Sequence, residues 1–250
     1  MTPLTAAGIF AAGVVAGTVN TIVGSGSLIT FPTLLAAGYK PVVANVSNTI
    51  GLVPGTASGS FGYRRELKGQ GARIRYLGVA SGLGGITGAI LLLTLPGSVF
   101  TAVVPVLIVV ACVLVAVQPW LTRRLAERRG ETHEHGGAGL FATIYVTGVY
   151  GGYFGAGQGI ILMSLLAIFI PEDLQRLNAT KNVLALLVNG IAALIFIVLA
   201  DVHWGIAALI AVGSTLGGQL GATLGRRFSP TLLRGCIIVV GLTAAARLVL

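Results

Sequence analysis

The hydrophobic positions of the chain fall into ten apolar runs, which polar or glycine-rich stretches separate. Eight runs have close to the roughly 20 residues that a membrane-spanning helix needs, whereas two are too short. The short runs, 27–38 and 159–170, each follow a glycine-rich break and have the same rank in the two halves of the chain. The pattern therefore predicts ten helical segments. They cover residues 4–23, 27–38, 42–61, 76–95, 99–118, 138–157, 159–170, 178–200, 203–225 and 231–250.

The two halves of the chain repeat several motifs in the same order. Gly-Gly-x-x-Gly-Ala occurs at 84–89 and again at 217–222, and Asn45 recurs as Asn178 with the same separation of 133 residues. A nearly fixed separation between ordered motifs indicates an internal duplication. The predicted domains are a first transmembrane repeat at 1–118, a charged cytoplasmic linker at 119–137 and a second transmembrane repeat at 138–250.

The positions of the basic residues predict the orientation of the chain. There are 16 Lys and Arg residues against 7 Asp and Glu residues, which gives a net charge of +9. If the short runs cross the membrane, 14 basic residues lie on one side, and Lys40 and Arg247 lie on the other. If the short runs only re-enter the membrane without crossing it, 10 basic residues lie on one side and 6 on the other. Because basic residues accumulate on the cytoplasmic side, we favour the first arrangement, with both termini outside.

This arrangement gives each half five crossings, so the two halves face opposite ways. The predicted fold class is an all-α integral membrane protein with two inverted repeats of about five transmembrane segments each. In each repeat the second segment is short and follows a glycine-rich helix break.

The composition excludes a soluble protein and argues against several kinds of partner. With 55% hydrophobic and 9% charged residues, the chain cannot cover a soluble domain of this size, so the lipid bilayer is its expected surroundings. The charges form short clusters rather than a continuous basic stripe, so we expect no nucleic-acid partner. His133 and His135 lie among charged linker residues, and Cys112 and Cys236 lie alone in apolar runs. No metal site and no cofactor is therefore predicted.

The two breaks are the strongest candidates for a ligand site. Glycines permit backbone conformations that other residues resist, and each break opens a helix whose first N–H groups carry the positive end of the helix dipole. A small anion is the ligand that such helix ends favour. The candidate residues are Gly24, Ser25, Gly26 and Ser27 in the first break and Gly155, Gly157 and Gln158 in the second. The alternative is that these glycines only permit close helix packing.

Helix packing is the interpretation that we prefer for the glycine pairs within the longer runs. These pairs have a spacing of four residues, which places both glycines on one face of a helix. They are Gly13 with Gly17, Gly84 with Gly88, Gly217 with Gly221, and Gly221 with Gly225.

Polar clusters at the start of the third segment of each half form a second candidate site. Asn45 and Asn48 lie in the first cluster, and Asn178 and Lys181 hold the corresponding positions in the second. Polar groups at membrane depth usually face a cavity or a partner helix. Lys181 would then be the main cation near an anionic substrate. The alternative is that these side chains cap the N-terminal ends of their own helices.

The distribution of acidic residues narrows the class of function. All seven carboxylates lie in or beside predicted loops, so no carboxylate relay for protons crosses the membrane. His203 lies at a helix end without a paired base, and we expect no enzyme activity. The residues favour an anion transporter with alternating access. A passive anion channel and a non-transporting membrane scaffold are the alternatives.

Several motifs resemble those of the TauE/SafE family of sulfite exporters. The resemblance rests on Asn20-x-x-x-Gly24-x-Gly26-x-Leu28 with Pro32, on Ala44-Asn45-x-Ser47-Asn48-x-x-Gly51, and on the duplicated Gly-Gly-x-x-Gly-Ala helix. It implies export of sulfite or a related small sulfur-containing or organic anion across the bacterial inner membrane, with the substrate at the breaks and the polar clusters. Ala156 and Gln158 stand where the first break has Ser25 and Ser27, so we expect an asymmetric site. The oligomeric state, a homodimer included, is left open.

Overall fold

A computed structural model describes residues 1–127, 137–224 and 230–249 of the chain. Within these ranges the chain forms ten α-helices and no β-strand, which confirms the predicted all-α architecture. The helices are α1 (Pro3–Ile22), α2 (Ser27–Ala36), α3 (Pro41–Gly62), α4 (Gly71–Thr94), α5 (Gly97–Glu127), α6 (Gly137–Tyr153), α7 (Gln158–Phe169), α8 (Leu174–Leu199), α9 (Trp204–Leu224) and α10 (Pro230–Val249).

Five of the described helices are long and apolar enough to cross a membrane. They are α1, α4, α8, α9 and the Gly97–Trp120 part of α5, with 20 to 26 residues each. At 1.5 Å per residue, a helix of this length spans the hydrocarbon core, which is about 30 Å thick. α2 and α7 are apolar but have only 10 and 12 residues. Together with the family relationship reported below, these spans make the chain a multi-pass membrane protein.

Several helices extend beyond the apolar runs that predicted them. α4 begins at Gly71 and α8 at Leu174, several residues before the predicted segments, and α5 continues to Glu127 through the first part of the predicted linker. Polar residues continue a helix where it leaves the hydrocarbon, so the apolar runs are shorter than the helices that contain them. The rest of the linker up to residue 136, with His133 and His135, lies outside the described residues.

The helices pack in a pattern that both halves of the chain share. α1 packs against α9 as α6 packs against α4, and α3 packs against α9 as α8 packs against α4. The pairs α2–α10 and α7–α5 correspond in the same way. Each half therefore packs its fourth helix into the other half. We call α1, α3 and α9 the first helix group and α4, α6 and α8 the second helix group. The two groups meet where α3 contacts α8.

Glycines allow α4 and α6 to approach closely. A Cβ atom at Gly84 would collide with the carbonyl oxygen of Tyr145, and one at Gly88 would collide with that of Val149. Both positions advance by four residues between the two contacts, so α4 and α6 run parallel to each other. Backbone-to-backbone contact of this kind lets neighbouring membrane helices pack at short distance.

The same arrangement relates α1 to α9. Gly13 faces Ile210 and, four residues later in both helices, Gly17 faces Ser214. α1 and α9 therefore also run parallel. The packing interpretation is confirmed for the described members of the glycine pairs, each of which faces backbone of another helix. These members are Gly13, Gly17, Gly84, Gly88, Gly217 and Gly221, and Gly225 lies outside the described residues.

Two further contacts show which helix ends lie together. Lys40, which precedes α3, and Asp201, which follows α8, line a cavity of about 540 Å³ together with Gly97 at the start of α5. At the opposite end of α8, Glu172 pairs with Arg73 in the first turn of α4, with 3.1 Å between Oε2 and Nη1. α8 therefore runs parallel to α4 and antiparallel to α3.

Candidate functional site

The first break separates α1 from α2. Gly24 has a φ of +87°, a conformation that residues with a side chain resist. The Gly26 N–H donates to Asn20 Oδ1 at 3.3 Å, and Asn20 Nδ2 donates to Thr56 Oγ1 in α3 at 3.0 Å. Asn20 therefore ties the break to α3, and Gly26 leaves room for the chain because a Cβ atom there would lie 2.6 Å from the carbonyl oxygen of Ala16.

The second break separates α6 from α7. Gly155 and Gly157 have φ values of +76° and +77°. The Tyr150 hydroxyl donates to the carbonyl of Ala156, so the break is fixed from the last turn of α6. The Gln158 side chain opens α7 and lies directly against Gly151, where a Cβ atom would collide with it.

The two breaks contact each other. The Gly159 N–H donates to the carbonyl oxygen of Gly24 at 3.0 Å, and a Cβ atom at Gly24 would lie 2.5 Å from Gly159 Cα. From this contact, α2 extends about 15 Å toward the Lys40 end of the molecule and α7 about 18 Å toward the Glu172 end, at 1.5 Å per residue. Together these lengths match the thickness of the hydrocarbon core, about 30 Å. The breaks therefore meet about midway between the Lys40 end and the Glu172 end of the molecule.

The polar cluster of α3 reaches both breaks. Asn48 is fully buried, donates to Ser27 Oγ at 3.2 Å and accepts a hydrogen bond from the Thr30 hydroxyl, so it holds the first turn of α2. Asn45 Nδ2 donates to the carbonyl oxygen of Tyr153, the last residue of α6, at 3.1 Å. Asn45 therefore satisfies a carbonyl that the end of α6 leaves open.

The polar cluster of α8 converges on the end of α1. Asn178 Nδ2, Lys181 Nζ and Asn182 Nδ2 each donate to the carbonyl oxygen of Thr21 at 3.3 Å. Lys181 Nζ also lies 3.5 Å from the carbonyl oxygen of Asn20. Asn178 thus corresponds to Asn45 in position and in role, because each joins the third helix of one half to the first helix of the other.

The alternative that these polar side chains cap their own helices is wrong. The N-cap positions of α3 and α8 are Lys40 and Asp173, and the Asp173 carboxylate accepts a hydrogen bond from the Gln175 N–H at 2.8 Å. Asn45 and Asn178 lie a full turn or more inside their helices. The apolar run at 178–200 suggested a helix that begins at residue 178, whereas the polar residues before it already belong to α8.

Three buried polar atoms at the breaks and in the α3 cluster have no hydrogen-bond partner among the described residues. They are Ser25 Oγ, Asn45 Oδ1 and Gln158 Nε2, in side chains that are 1%, 1% and 2% exposed. Burying a polar group without a partner is costly, and most buried polar groups in proteins are paired. Two potential donors and one acceptor in this region are therefore left without a protein partner in the described part of the chain.

The structure brings most of the predicted site residues together. Gly24, Gly26, Ser27 and Asn48 are linked around the first break, and Asn45 joins the second break, where Gly155, Gly157 and Gln158 lie. Asn178 and Lys181 bond the end of α1, four and five residues before Ser25 in the chain. Among the described residues, three or more His, Cys, Asp or Glu side chains nowhere gather as potential metal ligands.

Sequence reasoning missed four residues that support the site, namely Asn20, Thr30, Tyr150 and Asn182. Asn20 belongs to the motif that precedes Gly24, and Asn182 belongs to the α8 polar cluster, so both had a sequence signal. Tyr150 lies in the last turn of α6, five residues before Gly155. Thr30 is one of three hydroxyl residues in the apolar run 27–38, and its role appears only when α3 is packed against α2.

Comparison with known proteins gives the family of the chain. The family model "Sulfite exporter TauE/SafE" matches residues 9–248. A probable membrane transporter protein of Haemophilus influenzae is 26% identical over 96% of this chain and 93% of its own length. Similar proteins, also named probable membrane transporters, are 24% identical in Sinorhizobium sp (96% and 90% covered) and 25% identical in Escherichia coli strain K12 (99% and 91%). No solved structure matches significantly. The chain belongs to the TauE/SafE family, and the similar proteins from these three bacteria are named probable membrane transporters.

Proposed function

We propose that the protein is a secondary transporter that exports sulfite, or a related small sulfur-containing or organic anion, across the bacterial inner membrane. The observation that carries this proposal is the pair of unpartnered buried donors, Ser25 Oγ and Gln158 Nε2, at two helix breaks that touch near half depth. Both breaks also open helices, so the positive ends of the α2 and α7 dipoles point at the same place.

The other polar groups favour an anion that also has an O–H or N–H group as a hydrogen-bond donor. Lys181 supplies a positive charge beside the first break. Asn45 Oδ1 is a buried acceptor without a donor, which an O–H or N–H group on the ligand would satisfy. Hydrogen sulfite, or an organic sulfonate with a hydroxyl or amino group, combines both properties. A fully deprotonated oxyanion would leave the Asn45 oxygen unpaired.

We also infer that residues 1–118 and 138–250 are inverted repeats joined by a linker at 119–137. The helix directions support this inference. α1 runs parallel to α9 and α6 runs parallel to α4, while α8 is parallel to α4 and antiparallel to α3. Because α9 begins beside Asp201 at one end and α4 begins beside Arg73 at the other, α1 and α6 start from opposite ends. Inverted repeats with discontinuous helices at half depth are typical of secondary transporters.

The burial of the site favours alternating access over a passive pore. Ser25, Lys181 and Gln158 are each no more than 2% exposed, so neither face offers an open path to them. The hydrogen bonds described above between the two helix groups and their breaks lie at this depth. We propose that the groups rock about this contact and open the site to one face at a time.

A flux assay on purified protein in liposomes tests the proposal. We expect Ser25→Ala and Gln158→Ala each to lower sulfite affinity by about 10- to 100-fold, because a hydrogen bond to a charged group contributes about 1.5–3 kcal/mol. Ser98→Ala and Gln219→Ala are matched controls, since both side chains are exposed. Undiminished flux in both site variants would refute the site, and conductance without saturation would indicate a channel.

A further inference from the structure

Lys181 is the one charged side chain that is buried among the residues whose burial the structure describes. It is 1% exposed, although it lies in the middle of an apolar helix bundle. Its ammonium nitrogen contacts two backbone carbonyl oxygens, those of Thr21 and Asn20. An ammonium group has three N–H donors, so one donor is left for another ligand.

No acidic side chain of the described chain pairs with Lys181. Glu172 is engaged by Arg73 and Arg176, at 3.1 and 2.9 Å, beyond the start of α8. Asp173 caps α8, and Asp201 lies at the far end of the same helix. The charge of Lys181 is therefore not neutralised by a carboxylate.

The helices packed around Lys181 supply no other charge at its depth. α1, α3 and α7 contain no charged or titratable side chain. α4 carries Arg73, Arg75 and Tyr76 in its first two turns, next to the ion pair with Glu172. α6 carries Tyr145, Tyr150 and Tyr153, of which Tyr150 donates to Ala156 and Tyr145 bonds Thr87. Within the described structure, Lys181 thus faces only neutral groups.

The carbonyl groups at the end of α1 compensate the positive charge of the Lys181 ammonium only in part. The C-terminal carbonyls of a helix carry roughly half a negative elementary charge. A buried charge that is not fully compensated is strongly disfavoured, and the group then tends to lose its charge. The empty site therefore favours the neutral amine, whereas a bound anion supplies the missing negative charge and favours the ammonium.

We propose that Lys181 takes up a proton when the anion binds and releases it when the anion leaves, so that the transporter carries the two together. The step is the addition of one proton to the amine nitrogen, with no other bond formed or broken. This inference rests on the proposed anion site. Carriage of a monovalent anion would then be electroneutral, and the direction of transport would follow the sum of the anion and proton gradients.

Only one of the two breaks has a lysine beside it, because the position in the first half that corresponds to Lys181 is not a lysine. Asn48 stands there, and its amide bonds the side chains of Ser27 and Thr30 instead of a helix-end carbonyl. An amide does not titrate in the physiological range. The proposal therefore predicts one proton for each bound anion and not two.

Isothermal titration calorimetry on the purified wild-type protein tests the proton uptake. 2-Hydroxyethanesulfonate is a suitable probe. Its sulfonate stays ionised near neutral pH, so any proton taken up must bind the protein, and its hydroxyl can donate to Asn45 Oδ1. Titration in buffers of different ionisation enthalpy gives the number of protons per anion, by linkage. We expect a number between zero and one that rises toward about one with increasing pH, and an affinity that falls as pH rises.

Two variants assign the proton to Lys181. Lys181→Arg keeps a permanent charge, so we expect anion binding without proton uptake and without the pH dependence. Lys181→Met removes the charge and should weaken binding at least about tenfold. Wild-type binding without proton uptake would overturn the inference but leave the proposed function intact. The same uptake in Lys181→Arg would assign it to another group, and if the variants do not fold, the wild-type count decides. If neither 2-hydroxyethanesulfonate nor sulfite binds, the proposed function itself fails.

Discussion

Gly24 has no Cβ atom, and two features of the first break depend on this. One is its backbone conformation, and the other is its contact with the second break. Its φ of +87° strains any residue with a Cβ atom, and its Cα lies against Gly159. Gly38 offers a matched comparison, because its φ is +85° and a Cβ atom there would meet nothing within 4 Å. Substitution of Gly38 therefore measures backbone strain alone, whereas substitution of Gly24 measures strain together with loss of the contact between the breaks.

We expect Gly38→Ala to cost about 1–2 kcal/mol of stability, since an L-residue in the left-handed region costs that much. Sulfite affinity should not change. Gly24→Ala should carry the same strain and also push the breaks apart, with at least a tenfold loss of affinity. Thermal unfolding and equilibrium binding of both variants in detergent measure the two effects. Equal affinity in the two variants would show that the contact between the breaks is not needed for binding.

At the residue scale the sequence predicted the positions of the breaks but not the bonds that hold them. Gly24 and Gly155 are visible because glycines interrupt apolar runs at corresponding places. The bond between Asn45 and Tyr153 joins residues 108 apart, and its acceptor is a backbone carbonyl. Every residue has such a carbonyl, so no residue type marks it. That the predicted residues form a binding site stays a prediction.

At the scale of helices, close approach through glycine determines which pairs form. In α9, Gly217 faces the backbone of α1, and Gly218 faces that of α3 at Gly55. One glycine-rich helix thus joins both partners of the first helix group. Ten helices could be predicted from apolar runs, because each run must bury its backbone polar groups within itself in lipid. The choice of partners depends on surface shape, which apolar runs of similar composition do not reveal.

We expect Gly217→Ala to destabilise the protein by about 1–3 kcal/mol, the usual effect of forcing a methyl group into a packed interface. The added methyl would meet the Val14 carbonyl. Gly190→Ala in α8 is the matched control, because a Cβ atom there has nothing within 4 Å. It should be neutral or stabilising by up to about 1 kcal/mol, since alanine favours helix. Thermal unfolding measures both, and similar values for the two variants would contradict the packing argument.

At the scale of the whole molecule, the units that move are predicted to be the helix groups and not the sequence repeats. Each group contains helices from both repeats, because α4 and α9 are exchanged. The spacing of motifs predicts a repeat, but it does not predict the exchange of helices. Repeats that pack separately and repeats that exchange a helix have the same sequence periodicity.

Cross-links within a helix group distinguish the two possibilities. Ser58 in α3 and Gln219 in α9 belong to different repeats but to one group, and their side chains lie 3.5 Å apart. Thr87 in α4 and Tyr145 in α6 also belong to different repeats but to one group, the second, and their hydroxyl oxygens lie 3.1 Å apart. Cysteine pairs at these positions, joined by a short thiol cross-linker, should leave sulfite flux within about twofold of the unlinked protein. The parent protein for this test would have Cys112 and Cys236 replaced.

The same flux assay before and after cross-linking gives the comparison, and reduction of the cross-link provides the control for irreversible damage. If the repeats moved as separate bodies, both cross-links would join the moving parts and stop transport. Loss of flux that reduction restores would therefore contradict the group model while leaving the anion site untested by this measurement.

The location of a bound anion tests the central claim most directly. Selenite resembles sulfite in charge and shape, and selenium can be located by its anomalous scattering in crystals of the purified protein. We expect one selenium position within hydrogen-bond reach of Ser25 Oγ and Gln158 Nε2, beside the contact of Gly24 with Gly159. Selenium bound only in the cavity between Lys40 and Asp201, with the breaks empty, would contradict it.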